Sequence, residues 1–113
     1  MPQNHMIEVT HGDAVTGELT LSDRGHTFVD PGDIVTWKIK HGSGVEAITS
    51  ITDDAGSVNV FDPNPAPVGG SSNWKGTVKT VVPKGSLEEY TICWETPSGQ
   101  TPPCYDPKIQ LNP

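Results

Sequence analysis

The stretch DIVTWKIK (33–40) alternates apolar and polar side chains. Val35, Trp37 and Ile39 share one face, and a threonine and two lysines share the other. A period of two is typical of a β-strand with one buried face. The preceding DPGD (30–33) favours a turn, because proline presets φ and glycine accepts a positive φ. Together these residues predict a turn followed by a core strand.

The rest of the chain repeats this pattern of short β-like runs between turns. It has 12 Gly and 11 Pro, and no heptad, amphipathic helical stretch or long repeat. Strands are predicted at 6–10, 14–23, 24–30, 33–40, 45–51, 57–61, 74–82, 87–95 and 104–111. DPNPAPVGGSSN (62–73) predicts a surface loop, because proline lacks the donor that a central strand needs. The sequence therefore predicts an all-β, two-sheet Greek-key β-sandwich with almost no helix.

Length and charge limit the classes of function. The 113 residues fit a single domain over 1–113, with 1–5 a tag or a disordered start. The net charge of −7 repels phosphate backbones and anionic lipids, so neither nucleic acid nor membrane insertion is expected. No apolar run approaches the ~18 residues of a membrane span. MPQNHM (1–6) also lacks the apolar core of a signal peptide, which fits a remnant fused to a mature chain.

The last two predicted strands place the two cysteines of the chain on the same face. Alternation turns the apolar side chains of both strands inward and turns Cys93 and Cys104 outward. Pairing Cys93 with Cys104 also pairs Ile92 with Tyr105 in the same register. A cross-strand disulfide is the leading interpretation, with two free thiols or half of a metal site as alternatives. A disulfide implies an oxidising compartment, so the protein is expected to be periplasmic or secreted.

PGDIVTWKIK (31–40) resembles the signature of the cupredoxins, the small blue-copper β-sandwiches. In that family a Gly-Asp-x-Val-x-Trp/Phe strand precedes the first copper ligand, and the matching residues here are Gly32, Asp33, Val35 and Trp37. The C-terminal part is similar too, with an aromatic strand reaching a Cys, a loop, and a Lys-Ile-x-Leu strand. The resemblance covers roughly residues 28–52 and 86–111 and implies a cupredoxin-like topology.

The resemblance also implies where copper would be bound. The family uses two His, one Cys and usually a Met, because thiolate and imidazole together tolerate both copper oxidation states. The first His is expected where this chain has Val45 and Glu46, and the loop WETPSGQTPPCYD (94–106) supplies neither the second His nor the Met. Family aromatics stand two and four positions before the ligand Cys, and here Tyr90 stands four before Trp94. Trp94 therefore takes the inward position of the Cys, which implies a scaffold without a type 1 copper site.

Other candidate residues are scattered along the chain. His26, His41 and Glu46 are weak candidates for a metal site, because His41 lies in a Gly-rich loop from which it could approach the other two. No nucleophile elbow, zinc-protease helix motif or phosphate loop is present, so the protein is not expected to be an enzyme. Trp74 and Tyr105, with the Pro-rich loop, are candidates for an exposed aromatic surface that binds a protein or a carbohydrate.

These patterns predict an exported, non-catalytic β-sandwich that acts as a binding or structural module without a cofactor. The alternative is a copper-binding electron carrier or metal chaperone with ligands other than the mapped ones.

Glu88 and Glu89 do not form a catalytic pair, because adjacent residues of a strand face opposite ways.

Overall fold

The computed structural model describes residues 3–54, 59–69 and 71–112, and this part of the chain is all-β. The strands are β1 Asn4–Gly12, β2 Leu19–Leu21, β3 His26–Val29, β4 Ile34–Ile39, β5 Ala47–Asp53, β6 Ala66–Pro67, β7 Trp74–Thr77, β8 Leu87–Glu95 and β9 Lys108–Leu111. No helix forms among these residues, so none of them belongs to a helix with the length and apolar character to cross a bilayer.

The strands form two mixed sheets. The five-stranded sheet has the order β2-β1-β4-β7-β6, and the four-stranded sheet has the order β3-β9-β8-β5. The β1–β4 and β3–β9 pairs are parallel, and the other pairs are antiparallel. The all-β class and the two-sheet arrangement predicted from the alternating runs are therefore confirmed.

The core lies between the inward faces of the two sheets. Val35 and Trp37 of β4 are fully buried, as the alternation in 33–40 predicts. The Trp37 indole N–H donates a hydrogen bond of 3.1 Å to the Tyr90 hydroxyl in β8, and the two rings meet edge to face at 5.7 Å. This contact joins the two sheets and satisfies both polar groups in an apolar environment.

The DPGD turn also fastens the start of the chain. Gly32 has a φ of +84°, and the buried Asp33 carboxylate accepts hydrogen bonds from the backbone N–H groups of Gln3 and Asp30. His5 Nε2 lies 2.7 Å from the same carboxylate. Burial raises the pKa of Asp33, but these hydrogen bonds outweigh burial and hold its pKa below the ordinary value. The first strand, which begins at Asn4, is thus anchored to β4.

Several predicted strands are shorter in the structure. Of 14–23 only Leu19–Leu21 is a strand, because Asp13 caps a turn by accepting the backbone N–H groups of Val15 and Thr16. Val15 belongs to the predicted strand 14–23, yet its side chain is 87% exposed at the tip of this turn. The correction reflects local side-chain to backbone hydrogen bonding, which competes with strand pairing.

The middle of the chain differs in a similar way. Residues 57 and 58 of the predicted strand 57–61 lie outside the described residues, and Phe61 forms an isolated bridge with Val78. The predicted loop 62–73 contains the two-residue strand β6, which lies at a sheet edge, where proline is tolerated. The strand predicted at 74–82 ends at Thr77.

Gly17 marks a close approach between the turn after β1 and the loop after β8. Its φ is +80°, and a Cβ atom there would lie 1.9 Å from the carbonyl oxygen of Pro103. Gly85 has a similar φ of +78° but nothing within 4 Å of the same position. Substitution of Gly85 by alanine therefore costs free energy only through the backbone conformation, whereas substitution of Gly17 adds the cost of steric overlap.

We expect Gly85→Ala to lower the free energy of unfolding by about 1–2 kcal/mol, the cost of a left-handed alanine. Gly17→Ala should cost at least about 2 kcal/mol more, because the Pro103 backbone must also move. Urea unfolding of both variants at neutral pH measures the difference. Equal losses would contradict the close packing of these two loops.

Candidate functional site

Cys93 and Cys104 form a disulfide on the outward side of the last hairpin. Their Cα atoms are 4.4 Å apart. Next to them, Ile92 and Tyr105 exchange two backbone hydrogen bonds of 2.7 and 2.9 Å, so the predicted register is confirmed. The cysteines therefore occupy the following non-hydrogen-bonded pair, where antiparallel strands come closest. Since the chain has only these two cysteines, neither offers a thiolate while the bond is intact.

Trp94 fills the inward position that the resemblance assigns to the copper-ligating Cys. Its side chain is 1% exposed, and its indole N–H donates a hydrogen bond of 3.1 Å to the Gly17 carbonyl. A Cβ atom on Gly12 would lie 2.7 Å from both the Trp94 ring and the Val45 side chain. Both side chains thus pack against the Gly12 backbone. Val45 is buried at the position expected for the first His, so an apolar plug of Trp94 and Val45 fills this end of the core.

A groove lies at the same end of the molecule, beside this plug. Its volume is about 420 Å³, and it is lined by the β4–β5 loop, Ser72 and Pro97. Lys40, His41 and Glu46 are the charged or titratable residues among its lining. This size falls within the range of small-ligand pockets, and loops at the end of a sandwich commonly carry binding sites. We call this feature the end groove.

The backbone holds the loop of the end groove in place. The Gly12 N–H of β1 donates a hydrogen bond of 2.9 Å to the Ser43 carbonyl, and the Ser43 hydroxyl accepts the N–H of Val45. Gly42 and Gly44 have φ values of +81° and +88°, which let the chain reverse around the buried Ser43. The exposed side chains of the loop thus stand on an anchored backbone.

The structure brings together two of the three weak metal candidates. His41 and Glu46 both line the end groove, whereas His26 lies on β3 of the four-stranded sheet. His26 Nε2 is 2.9 Å from the Gln110 amide oxygen, and its ring stacks on Phe28 at 4.7 Å. In the described part of the chain, no group of three or more His, Cys, Asp or Glu is placed to bind a metal ion. The structure thus places His41 and Glu46 in one groove and His26 elsewhere.

The two aromatic candidates do not form one surface. Trp74 is only 9% exposed, and its indole N–H donates a hydrogen bond of 3.2 Å to the Ile48 carbonyl in β5. It therefore belongs to the core and joins the two sheets, which corrects its assignment to an exposed surface. The alternation of Trp74, Gly76 and Val78, all of them buried, is the sequence signal that indicates this orientation.

Tyr105 is half-buried and lies in a different place. It lines a cavity of about 210 Å³ together with Glu18 and Arg24, and burial raises the pKa of its hydroxyl. Phe28, which the sequence analysis did not assign to a surface, is about half exposed in its stack with His26. Exposed aromatic area is thus distributed over separate parts of the molecule.

No model of a known protein family and no curated protein matches this sequence. The resemblance to the cupredoxins therefore rests on the residues quoted above.

We expect no free thiol in the unfolded, unreduced protein when it is titrated with a thiol reagent. Replacing both cysteines, Cys93→Ser with Cys104→Ser, should lower the free energy of unfolding by about 2–4 kcal/mol, because the unfolded chain gains freedom. Reduced wild-type protein serves as the control and should unfold at about the same denaturant concentration as the double variant. Two titratable thiols in the unreduced protein would contradict the disulfide.

Proposed function

We propose that the protein is an exported, non-catalytic binding module with a Greek-key, cupredoxin-like topology and no type 1 copper site. Three features support this proposal: the way the chain passes between its sheets, the residues that occupy the mapped copper position, and the end groove beside that position.

The strand order supports the topology. The chain passes from one sheet to the other after β2, β3, β4, β5 and β7. As a result, β1 neighbours β4, β4 neighbours β7, and β3 neighbours β9, although none of these pairs is consecutive. Long connections that return a strand beside an earlier one are typical of Greek-key sandwiches. The resemblance over residues 28–52 and 86–111 supports the cupredoxin-like form of this arrangement.

The occupation of the mapped copper position is the observation that carries the proposal. A type 1 site needs a cysteine thiolate together with imidazole ligands. Here Cys93 is bonded to Cys104 on the outward face, and the inward position belongs to the buried Trp94 indole. Val45 supplies a buried apolar side chain where the first His is expected. This chemistry favours a scaffold role over electron transfer.

The disulfide also supports export. Cross-linked cysteines persist in oxidising compartments and are rare in the reducing cytosol. Cys104 is exposed to solvent, so a reducing environment would have access to the bond. A periplasmic or secreted location is therefore the setting in which this hairpin stays closed.

We expect that adding one equivalent of Cu(II) to the unreduced protein produces no intense thiolate-to-copper absorption in the visible range. The reduced protein is the matched control, because reduction frees both thiols but leaves Trp94 in the inward position. An intense blue band in the unreduced protein would favour the alternative function, a copper-binding electron carrier or chaperone.

The lining of the end groove favours a protein segment as the ligand. The groove combines the charges of Lys40 and Glu46 with apolar contacts from Ile39, Val45 and Pro97. A peptide can match such a mixture with its backbone and with side chains of either charge. Trp, Tyr and Phe are absent from the described lining residues, so sugar rings find no large aromatic face to stack on.

A peptide array and a glycan array, probed with labelled protein, test this assignment. We expect binding to peptides, and a loss of about tenfold or more in affinity for the variant His41→Ala with Glu46→Ala, equivalent to about 1.4 kcal/mol. The variant His26→Ala with Glu18→Ala is the matched control, since both residues are exposed and lie outside the groove. Binding to glycans alone, or equal losses in both variants, would contradict the proposal.

A further inference from the structure

Glu88 is a carboxyl group buried in the core of the domain. It follows Leu87 at the start of β8, and its side chain is 2% exposed because it faces inward in phase with Tyr90. One carboxyl oxygen accepts the backbone N–H of Val60 at 2.8 Å. A buried carboxyl is costly unless it is paired or protonated, so its contacts call for an explanation.

Val60 connects the two sheets through its backbone. Its N–H donates to Glu88 in the four-stranded sheet, and its carbonyl accepts the N–H of Lys79, which follows β7 of the five-stranded sheet. The neighbouring Phe61 forms a β-bridge with Val78 on the same side. Residues 59–61 thus lie between the sheets, and the hydrogen bond from Val60 to the Glu88 carboxyl links them to β8.

Solvent can reach the surroundings of this carboxyl. A cavity of about 250 Å³ is lined by Glu88, by Ile51, Thr52 and Asp53 of β5, and by Asn64 and Pro65. Such a cavity lets a proton reach the carboxyl without unfolding of the whole domain.

We propose that the Glu88 carboxyl is a proton-operated latch that fastens residues 59–61 to β8. When protonated, the group keeps an oxygen that accepts the Val60 N–H and carries no buried charge. When ionised, it accepts the Val60 N–H more strongly but places a charge in the core, and the cost of that buried charge outweighs the stronger hydrogen bond, so residues 59–61 are held less firmly.

The charged groups around Glu88 agree with this behaviour. Burial is the largest cause that raises the pKa of Glu88, the Val60 N–H lowers it, and the nearby carboxylates of Asp53 and Asp54 raise it, which leaves the pKa at about 7. The nearby cation of Lys79 lowers the pKa of Glu88. The Tyr90 hydroxyl on β8 stays protonated, because burial raises the pKa of Tyr90. Since the pKa is higher in the closed form than its ordinary 4.5, the latch is fully effective below about 4.5. Its effect is lost progressively as the pH rises to about 7.

Hydrogen exchange of the Val60 amide, followed by NMR and corrected for the intrinsic exchange rate, tests the latch. In the wild type we expect protection to fall by about tenfold per pH unit between about pH 5 and 7 and then to level off. Glu88→Gln keeps an acceptor oxygen but cannot ionise, so its protection should not depend on pH. Asp62→Asn is the matched control, because it removes an exposed carboxyl beside the same segment and should keep the wild-type profile.

Three outcomes would overturn the latch. They are a flat wild-type profile, a Glu88→Gln variant that keeps the wild-type slope, and an Asp62→Asn variant that becomes flat. A ¹³C NMR titration of the Glu88 carboxyl in the wild-type chain gives a test that does not depend on the folding of any variant. A midpoint near neutral pH supports the latch, and a midpoint at the ordinary value of 4.5 overturns it.

Discussion

The hydrogen bond from the Trp37 indole to the Tyr90 hydroxyl is the contact on which much of this structure depends. It joins the centre of β4 to the centre of β8 across the core, and burial of both rings keeps water away from it. Because a strand has a period of two, an inward Tyr90 sets the phase of the whole of β8. A slip of one residue would bury Cys93 and expose Trp94, so one contact decides where both chemistry-bearing side chains lie.

The inward orientation of Tyr90 determines which side chains are buried at both ends of β8. At its C-terminal end, Trp94 lies in the inward position and the disulfide lies outside, so an indole is buried there and both cysteine sulfurs are bonded to each other. At its N-terminal end, the same alternation buries Glu88 under the 59–61 segment. The first consequence places an indole in the core, and the second places a titratable group there. The remaining polar groups of interest, such as His41 and Glu46, stand at the loop end of the sandwich, where ligands have access.

Much of the fold is readable from residue order, because alternation is a local property. The stretches 33–40 and 87–95 each contain several apolar residues in phase, and the structure follows both. The stretch 14–23 contains too few such residues to outweigh the hydrogen bonds that Asp13 makes with its own turn. Trp74 is a different case, since its position after a proline-rich loop suggested exposure, while its alternation with Gly76 and Val78 indicated burial. The phase of neighbouring residues was the better guide.

The sequence by itself predicted the all-β class, the core strands at 33–40 and 87–95, and the shared outward face of Cys93 and Cys104 in the last hairpin, because these depend on spacing along the chain. Tertiary structure alone decided that Trp94 and Val45 pack against Gly12 and that Lys40, Glu46 and Pro97 line one groove. It also decided that the Glu88 carboxyl meets the Val60 backbone. These contacts join residues far apart in the chain, and their geometry follows from how the two sheets stack. No local pattern encodes which side chain a buried carboxyl or an indole will meet across the core.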